Sequence, residues 1–334
     1  MQRPFHWGII GPGKIAGKFA EDLKLAKGGK LYAVASRSPE RAEAFANTHG
    51  VTKAYGDYAA LAADPEVDVV YIATPHIGHA ENTLRCLEAG KAVLCEKPLG
   101  MNSEEVARMV ATARRCNRFL MEGIWTRLLP GTLQVLRWIQ SGRMGAVRSL
   151  TADFGFRAPR DVEGRLHNKA LGGGALLDIG IYPIFLAQLL LGEPEKIYGM
   201  ARMSHTGVDL EDNLVFEYEY GRTARLHASL TQQTPSEAWI YCEEGRIQLT
   251  GRWHETKEVR ILPYEGARGT VIFESEFKGG YGYHFEIDHV HECLQRGLRE
   301  SPLLPLDFSV TLMRTLDRVR EHIGLDYEAA ESGT

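Results

Sequence analysis

The apolar run Trp7-Gly8-Ile9-Ile10 passes without a break into Gly11-Pro12-Gly13-Lys14-Ile15-Ala16, a G-x-G-x-x-A turn that opens a helix. A buried strand that feeds a helix in this way predicts a β-α-β crossover, and with it a parallel sheet. Each small residue has its own task. Gly11 permits the tight turn, Gly13 lets a pyrophosphate approach the backbone, and Ala16 allows close helix–strand contact. Lys14 and Ile15 fill the first helical positions. Taken alone, the turn is only a strand-to-helix connection, and its weight comes from the frame that follows.

That frame is an alternation. A helical stripe runs from Ile15 to about Lys27, and strand two is Leu31–Ala35. An alanine-rich helix follows at Pro39 to about His49, with Pro near its start. The next strand, Asp68–Ala73, ends at Thr74-Pro75, and a helix from about His79 to Ala89 stops at Gly90, a left-handed cap. Strand Ala92–Cys95 then runs into Glu96-Lys97-Pro98, a helix covers about Ser103 to Cys116, and a short strand lies at Phe119–Met121. These units predict a doubly wound Rossmann domain over residues 1–123. In such a sheet, ligands sit beyond the carboxyl ends of the strands. Lys97 and the backbone of Thr74-Pro75-His76 are therefore placed to flank a bound dinucleotide.

From residue 124 to 334 the period changes. After a helix at about Thr132 to Ser141 come strand-like runs at 147–156, 196–203, 213–220, 224–231, 238–242, 247–249, 259–262 and 271–277. Turn residues at Gly221-Arg222, Glu244-Gly245 and Gly266-Ala267 separate several of them, which predicts an antiparallel sheet. One strongly apolar helix, Ile179 to Leu191, interrupts the series, and helices at about Phe285–Gln295 and Phe308–Ile323 close it. The expectation is an α+β substrate domain, whose C-terminal helices are free to pack back on the first.

Composition narrows the function class. With 334 residues, 44% hydrophobic and 25% charged, the chain is long enough for two cored domains. A formal net charge of −4 and no basic run argue against nucleic acid. The first strand begins near Phe5, leaving no room for a signal peptide, and no apolar stretch approaches the roughly 20 residues of a membrane span. Five scattered cysteines without a Cys-x-x-Cys predict reduced thiols in a cytoplasmic protein.

The residues also bear on chemistry. Strand two ends in Ser36-Arg37-Ser38, where an NAD-preferring fold offers Asp or Glu to the ribose hydroxyls. An arginine there accommodates a 2′-phosphate, so NADP is expected over NAD, although Arg37 also suits a solvated charge ahead of a helix. His76 and His79 are metal-type side chains, but no third ligand stands near, and His79 reads as a helix-start residue. The spacing of His284, His289 and His291 does not put all three on one helical face. No metal is expected. Asp178 and Tyr182 are four apart and share a face once helical; Asp at a helix start also serves as a cap, and Tyr on an apolar helix as core.

The order Gly-Pro-Gly-Lys-Ile-Ala, Ala73-Thr74-Pro75-His76 with His79, and Gly90-Lys91-Ala92-Val93-Leu94-Cys95-Glu96-Lys97-Pro98 resembles the glucose–fructose oxidoreductase/inositol dehydrogenase (Gfo/Idh/MocA) family. Within it, Phe119–Arg127 and Gly173–Tyr182 resemble the dimeric dihydrodiol dehydrogenase group, which includes NADP-dependent D-xylose dehydrogenases. The similarity runs nearly end to end, through Glu292-Cys293-Leu294 and Glu300-Ser301-Pro302. Many members of the wider family carry His where this chain has Tyr182. The resemblance implies hydride transfer from a carbinol of an aldopentose-like sugar or a trans-dihydrodiol to NADP. Tyr182 would take the hydroxyl proton, Lys97 would lower its pKa, and Asp178 would orient the lysine or the substrate; Lys97 itself is the other candidate base. The resemblance further implies a pocket walled by Trp125, Phe154 and Trp253, with Arg148 and Arg202 near it or at a homodimer interface formed through the second sheet. A ketosugar reductase, or a non-catalytic NADP-sensing protein, are the alternatives.

Overall fold

The computed structural model describes residues 3–159, 161–162, 164–264, 270–275, 277 and 279–327. The first part alternates strand and helix: β1 (Phe5–Ile10), α1 (Lys14–Leu23), β2 (Gly29–Ala35), α2 (Pro39–His49), β3 (Lys53–Tyr55), α3 (Tyr58–Ala63), β4 (Val69–Ile72), α4 (His79–Glu88), β5 (Ala92–Glu96), α5 (Ser103–Cys116) and β6 (Leu120–Gly123). The six strands are all parallel, in the order β3-β2-β1-β4-β5-β6, the order of a dinucleotide-binding doubly wound sheet. β4 and β5 are buried at every residue, as strands covered by helices on both faces must be. Sequence reading did not find β3 or α3. Lys53-Ala54-Tyr55 is too short to show an alternation, and α3 has only six residues. α5 has the expected bounds, and its cap is Asn102, whose side chain accepts from Glu105 N at 2.8 Å.

The second part contains α6 (Pro130–Gln140), β7 (Val147–Gly155), a π-helical turn (Leu176–Gly180) running directly into α7 (Ile181–Leu191), β8 (Lys196–Met203), β9 (Asp209–Tyr218), β10 (Arg222–Ser229), β11 (Ala238–Cys242), β12 (Gly245–Leu249), β13 (Glu258–Pro263), β14 (Val271–Glu274), α8 (Tyr283–Gln295) and α9 (Leu306–Ile323). An eight-stranded sheet takes the order β14-β13-β12-β11-β7-β10-β9-β8. Only β7 and β10 pair in parallel; the other neighbours are antiparallel. The strands expected at Lys196–Met203 and Ala238–Cys242 form with those bounds, whereas the run 271–277 shortens to Val271–Glu274. The Gly266-Ala267 turn lies outside the described residues.

The sheet's two faces differ. Leu150, Ala152 and Phe154 of β7, Leu214 and Phe216 of β9 and Leu226 of β10 alternate inward and are buried. α7 packs on this side and is apolar all round, as a core helix is. Its one buried amide, Gln188, donates to Thr311 Oγ1 at 2.8 Å and accepts from Thr315 Oγ1 at 3.0 Å. The segment 169–191 is apolar enough by composition to cross a membrane, yet 89% of that window is buried. Its continuous helical part begins only at Leu176, because Gly172 and Gly174 turn the chain at φ +72° and +116°.

By compactness the chain divides into residues 1–128 with 277–310, and residues 129–276 with 311–334. α8 belongs to the first unit, and α9 starts in the first and ends in the second. In the first unit α8 is held by a buried carboxylate. Asp22 of α1 is fully buried and accepts from the backbone N–H groups of Tyr281, Gly282 and Tyr283, the last at 2.7 Å. Those donors would otherwise go unsatisfied at a helix start. Aromatic rings complete the contact: Trp125 on Tyr283, Tyr283 edge-on to Phe19, and Phe19 on Tyr71.

Candidate active site

In the first sheet, register decides what is adjacent. Ile10 pairs with Ala35 and Ile72, and Ile72 pairs with Cys95. Gly11, Ser36, Ala73 and Glu96 therefore stand in one row at the carboxyl edge. Gly11 is obligatory there: at φ +91°, a Cβ would lie 2.8 Å from the backbone of Ala73 and Thr74. Gly13 differs. Its φ is −99° and a Cβ would meet nothing within 4 Å, so no protein contact requires a glycine there and its bare face leaves room for a ligand. Gly13, Lys14 and Ile15 are exposed, Ala16 is buried, and α1 has neither a side-chain cap nor an acid in its first turn. A helix start with open N–H groups, no competing carboxylate and a bare glycine fits a pyrophosphate.

Beside it, Ser36 is buried and accepts from Ser38 N at 3.2 Å, while Arg37 is exposed. Glu40, the next acid along, is turned toward the Ser38 hydroxyl at 2.6 Å. At the end of β4, Thr74 and Pro75 are half-buried and His76 is buried at the start of a short 3-10 turn. His79 is fully buried. Its Nδ1 lies 2.7 Å from Pro98 O and its Nε2 3.0 Å from Thr74 O. It thus ties two of the loops together, with both ring nitrogens aimed at carbonyls. The other histidines have separate partners: His284 beside Asp22, His289 on Ser301, and His291 accepting from Trp7 Nε1 at 2.9 Å.

Lys97 is half-buried after β5 and precedes a cis peptide to Pro98. Two buried carboxyls flank its loop. The Tyr71 hydroxyl donates to Glu96 Oε1, and Lys97 N donates to Oε2 at 3.2 Å. Burial and the Glu96 charge hold the Tyr71 phenol well above its ordinary range. Glu122, at 2% exposure on β6, accepts from Leu99 N at 2.9 Å. Burial pushes its carboxyl up to about 7, the Ser309 hydroxyl and Leu99 N–H oppose this, and the charges of Glu96 and Lys97 act in opposite senses. Sequence reading gave Glu122 no role, because a strand-end Glu carries no signal of burial. Trp125 is buried against Tyr283, with ring centroids 4.8 Å apart.

In the second unit, Asp178 and Tyr182 are 8% and 7% exposed on the inner side of the sheet. Asp178 is not a helix cap. It lies inside the π turn and accepts from Arg165 Nη1 at 2.8 Å. Tyr182 lies 5.7 Å from the ring of Phe154 and 5.5 Å from that of His254, and those two rings stack at 3.8 Å. The aromatic beside Tyr182 is thus His254, not Trp253. Trp253 is fully buried, its Nε1 donating to Asp153 O at 2.8 Å. The arginines stay apart from Tyr182. Arg148 pairs with Glu243 six residues from Phe154 along β7, roughly 20 Å at strand rise. Arg202 pairs with Glu211 at 2.7 Å, on the outer face with Tyr198 and Met200. Among the described residues no three His, Cys, Asp or Glu form a metal-holding group.

Known proteins carry the same pattern. Residues 5–124 match the model of an oxidoreductase family with an NAD-binding Rossmann fold, and residues 132–248 match the Gfo/Idh/MocA C-terminal domain. The chain is 38% identical over 331 residues to trans-1,2-dihydrobenzene-1,2-diol dehydrogenase of Bos taurus, covering 96% of this chain and 97% of that one. The enzyme of the same name from Homo sapiens is also 38% identical, with the same coverage. Among solved structures, a 3-ketoreductase from Actinomadura kijaniata in complex with NADP and TDP-benzene superposes with a TM-score of 0.86 at 26% identity, covering 96% of this chain and 98% of that one. A glycine turn on a parallel sheet, a helical segment with Asp178 and Tyr182 packed on a mostly antiparallel second sheet, and matches to both domain models assign the chain to the Gfo/Idh/MocA family of NAD(P)-binding oxidoreductases.

Proposed function

We propose that this protein oxidises a ring carbinol of a trans-dihydrodiol or an aldopentose-like sugar with NADP. The observation that carries the reading is the row of strand ends: Lys97 stands two neighbours along from the bare Gly11–Gly13 turn at one sheet edge. The likeness to dihydrodiol dehydrogenases across 96% of the chain supports the carbinol. When bound, the nicotinamide supplies the hydride acceptor. The backbone of Gly13–Ala16 would hold the pyrophosphate, and Arg37 would meet the 2′-phosphate. Thr74, Pro75, His76, Glu96 and Lys97 would flank the rest, with His79 fixing their loops from beneath. In this reading Tyr182 takes the hydroxyl proton, with Asp178 oriented by Arg165, and Lys97 is the cation that favours the phenolate. Trp125, Phe154 and His254 supply apolar surface for a ring. The test is the purified protein with NADP⁺ and a panel of aldopentoses and dihydrodiols, followed by reduced-cofactor absorbance. Turnover on one class and not on open-chain alcohols is expected; no turnover with any ring diol or sugar sinks the reading.

A second reading, reduction of a ketosugar by the same residues, is favoured by the structural likeness to a 3-ketoreductase. The same assay run from NADPH decides the direction, and inactivity both ways would leave a sensing role. The reading includes a homodimer through the outer face of the second sheet. There Tyr198, Met200 and Val215 are 45%, 71% and 40% exposed beside a groove of about 710 Å³ that Trp239 and Arg225 also line. Met200→Glu is expected to yield monomer by light scattering if that face mates. Five free cysteines, four of them buried, suit a reducing cytoplasmic setting.

A further inference from the structure

Asp209 opens β9 and Asp212 follows three residues later; both are buried, at 0% and 1% exposure. Asp209 Oδ2 accepts from Leu176 N at 2.5 Å, and the Ala175 N–H supports the same carboxyl. Leu176 is the first residue of the π turn. Gly174 stands at φ +116°, and a Cβ there would come within 2.1 Å of Asp209 Oδ1, so the glycine exists to seat this carboxyl. From the other side, the Tyr327 hydroxyl donates to Gly173 O at 2.5 Å. The start of the segment bearing Asp178 and Tyr182 is thus fastened through Asp209.

The second carboxyl is harder to explain. Neither oxygen of Asp212, nor Oδ1 of Asp209, has a donor among the described residues, yet the two side chains lie within hydrogen-bonding reach of each other. Two adjacent buried carboxyls, one of them without any donor, cannot both be charged. A proton on Asp212, donated to Asp209 Oδ1, satisfies both and leaves one charge where backbone N–H groups and a helix start favour it.

The surroundings reinforce this. Glu211, between them on β9, and the charge of Asp209 raise Asp212 further, after burial as the main cause. From β8, Ala201 pairs with Asp212 and Met203 with Asp209, and from β10 Ala228 pairs with Asp212, none of them charged. His227 of β10 turns Nδ1 toward the backbone carbonyl of Asp212, at 3.1 Å. The π turn contributes Asp178, and the tail contributes Tyr327, whose phenol is driven far up by burial and these carboxylates. The cations on that side are Arg320, 5.6 Å from the Tyr327 ring centroid, and Arg165, which is paired with Asp178.

We propose that Asp209 and Asp212 share one proton and act as a positioning pair for the segment that carries Asp178 and Tyr182, releasing its start when that proton is lost to solvent. The functional importance of the segment rests on the reading given above; the shared proton does not.

The sign follows from linkage. An acid held above its unfolded value contributes stability that is complete at low pH and is lost as pH rises through the folded value. Asp212→Asn keeps the shape, donates an N–H to Asp209 and has no proton to lose. Infrared difference spectra of the unmutated protein minus Asp212→Asn at neutral pH are expected to show a protonated-carboxyl carbonyl band. Hydrogen-exchange protection of residues 173–182, corrected for intrinsic rates, is expected to fall about tenfold or more as pH rises above neutrality in the unmutated protein and to stay flat in Asp212→Asn. A merely structural Asp212 would give both proteins the same slope. Should the variant fold poorly, titration of the band in Glu122→Gln, which removes the other raised carboxyl described above, decides in its place, because the loss of the band must share a midpoint with the loss of protection. Absence of the band, equal slopes, or separate midpoints overturns the proposal. Neither measurement needs a substrate, so failure to find one would count against the function and not against the pair.

Discussion

All strands of the first sheet run the same way, so their ends gather at one edge, and what is offered there is mostly backbone: open N–H groups behind Gly13 and carbonyls tied by His79. In the second sheet neighbours run mostly antiparallel and no such edge forms. The chemistry proposed for it sits on side chains of one inner-face segment, Asp178 and Tyr182, whose start is a π turn fastened to a buried carboxyl. A backbone-built site is announced by glycines. A side-chain-built site depends on the local helix type, which a sequence does not announce.

That contrast can be broken experimentally, most sharply at Tyr182. Tyr182→Phe is expected to lower kcat by about 10²–10⁴-fold while the NADP⁺ Kd stays unchanged, since proton transfer and cofactor binding belong to different units. Near-normal turnover would pass the base role to Lys97, whose Lys97→Met variant is expected to lose at least as much. The glycines test the backbone side. Gly13→Ala, with open space at its Cβ, should weaken NADP⁺ binding on the order of 10²-fold with an unchanged Tm. Gly11→Ala, at φ +91°, should instead cost about 1–3 kcal/mol of stability, read by denaturant titration. Equal effects from the two would erase the distinction between a structural glycine and a ligand's glycine.

Arg37→Ala comes next. Loss of a charge-assisted phosphate contact of about 1.5–3 kcal/mol should remove most of a roughly ten-fold or greater NADP⁺ preference over NAD⁺. Equal affinities in the unmutated protein would refute it. The smallest effect is expected at Glu122, where a backbone-held loop meets a titrating side chain. Its carboxyl, raised to about 7, contributes stability that is complete below about pH 4.5 and is lost as pH rises through about 7. Glu122→Gln should therefore flatten the fall of Tm over that window, and a Tm profile superimposable on the unmutated one would show that Glu122 is not the titrating group.

Much of the architecture could be read directly. The parallel, doubly wound sheet follows from repeated β-α-β units, and Lys196–Met203 and Ala238–Cys242 form as their residue types predict. What could not be read has physical causes. β3 is an edge strand of three residues, which shows no period. Trp253, named by the resemblance, and His254 lie in a 3-10 turn, which separates neighbours by about 120°, so the two rings face different ways. Asp178 looks like a cap in sequence, but the helical stretch begins two residues earlier as a π turn. Glu122, Asp209 and Asp212 look like ordinary surface acids, since burial is a property of the packed whole. In the return of α8 to the first unit, the decisive contact joins residues 259 apart in sequence.

The Asp22 cap has a consequence for the order in which the protein is made. Tyr281 leaves the ribosome 259 residues after Asp22, a delay of roughly 13–50 s at ordinary translation rates. During that interval Asp22 lacks its three backbone donors and the Phe19 side of α1 lacks the Tyr283 ring. The nucleotide-binding unit is the first to be translated but cannot close until the tail arrives. Nascent chains stalled before residue 281 should therefore be protease-sensitive in α1, and those stalled well beyond α8 should not.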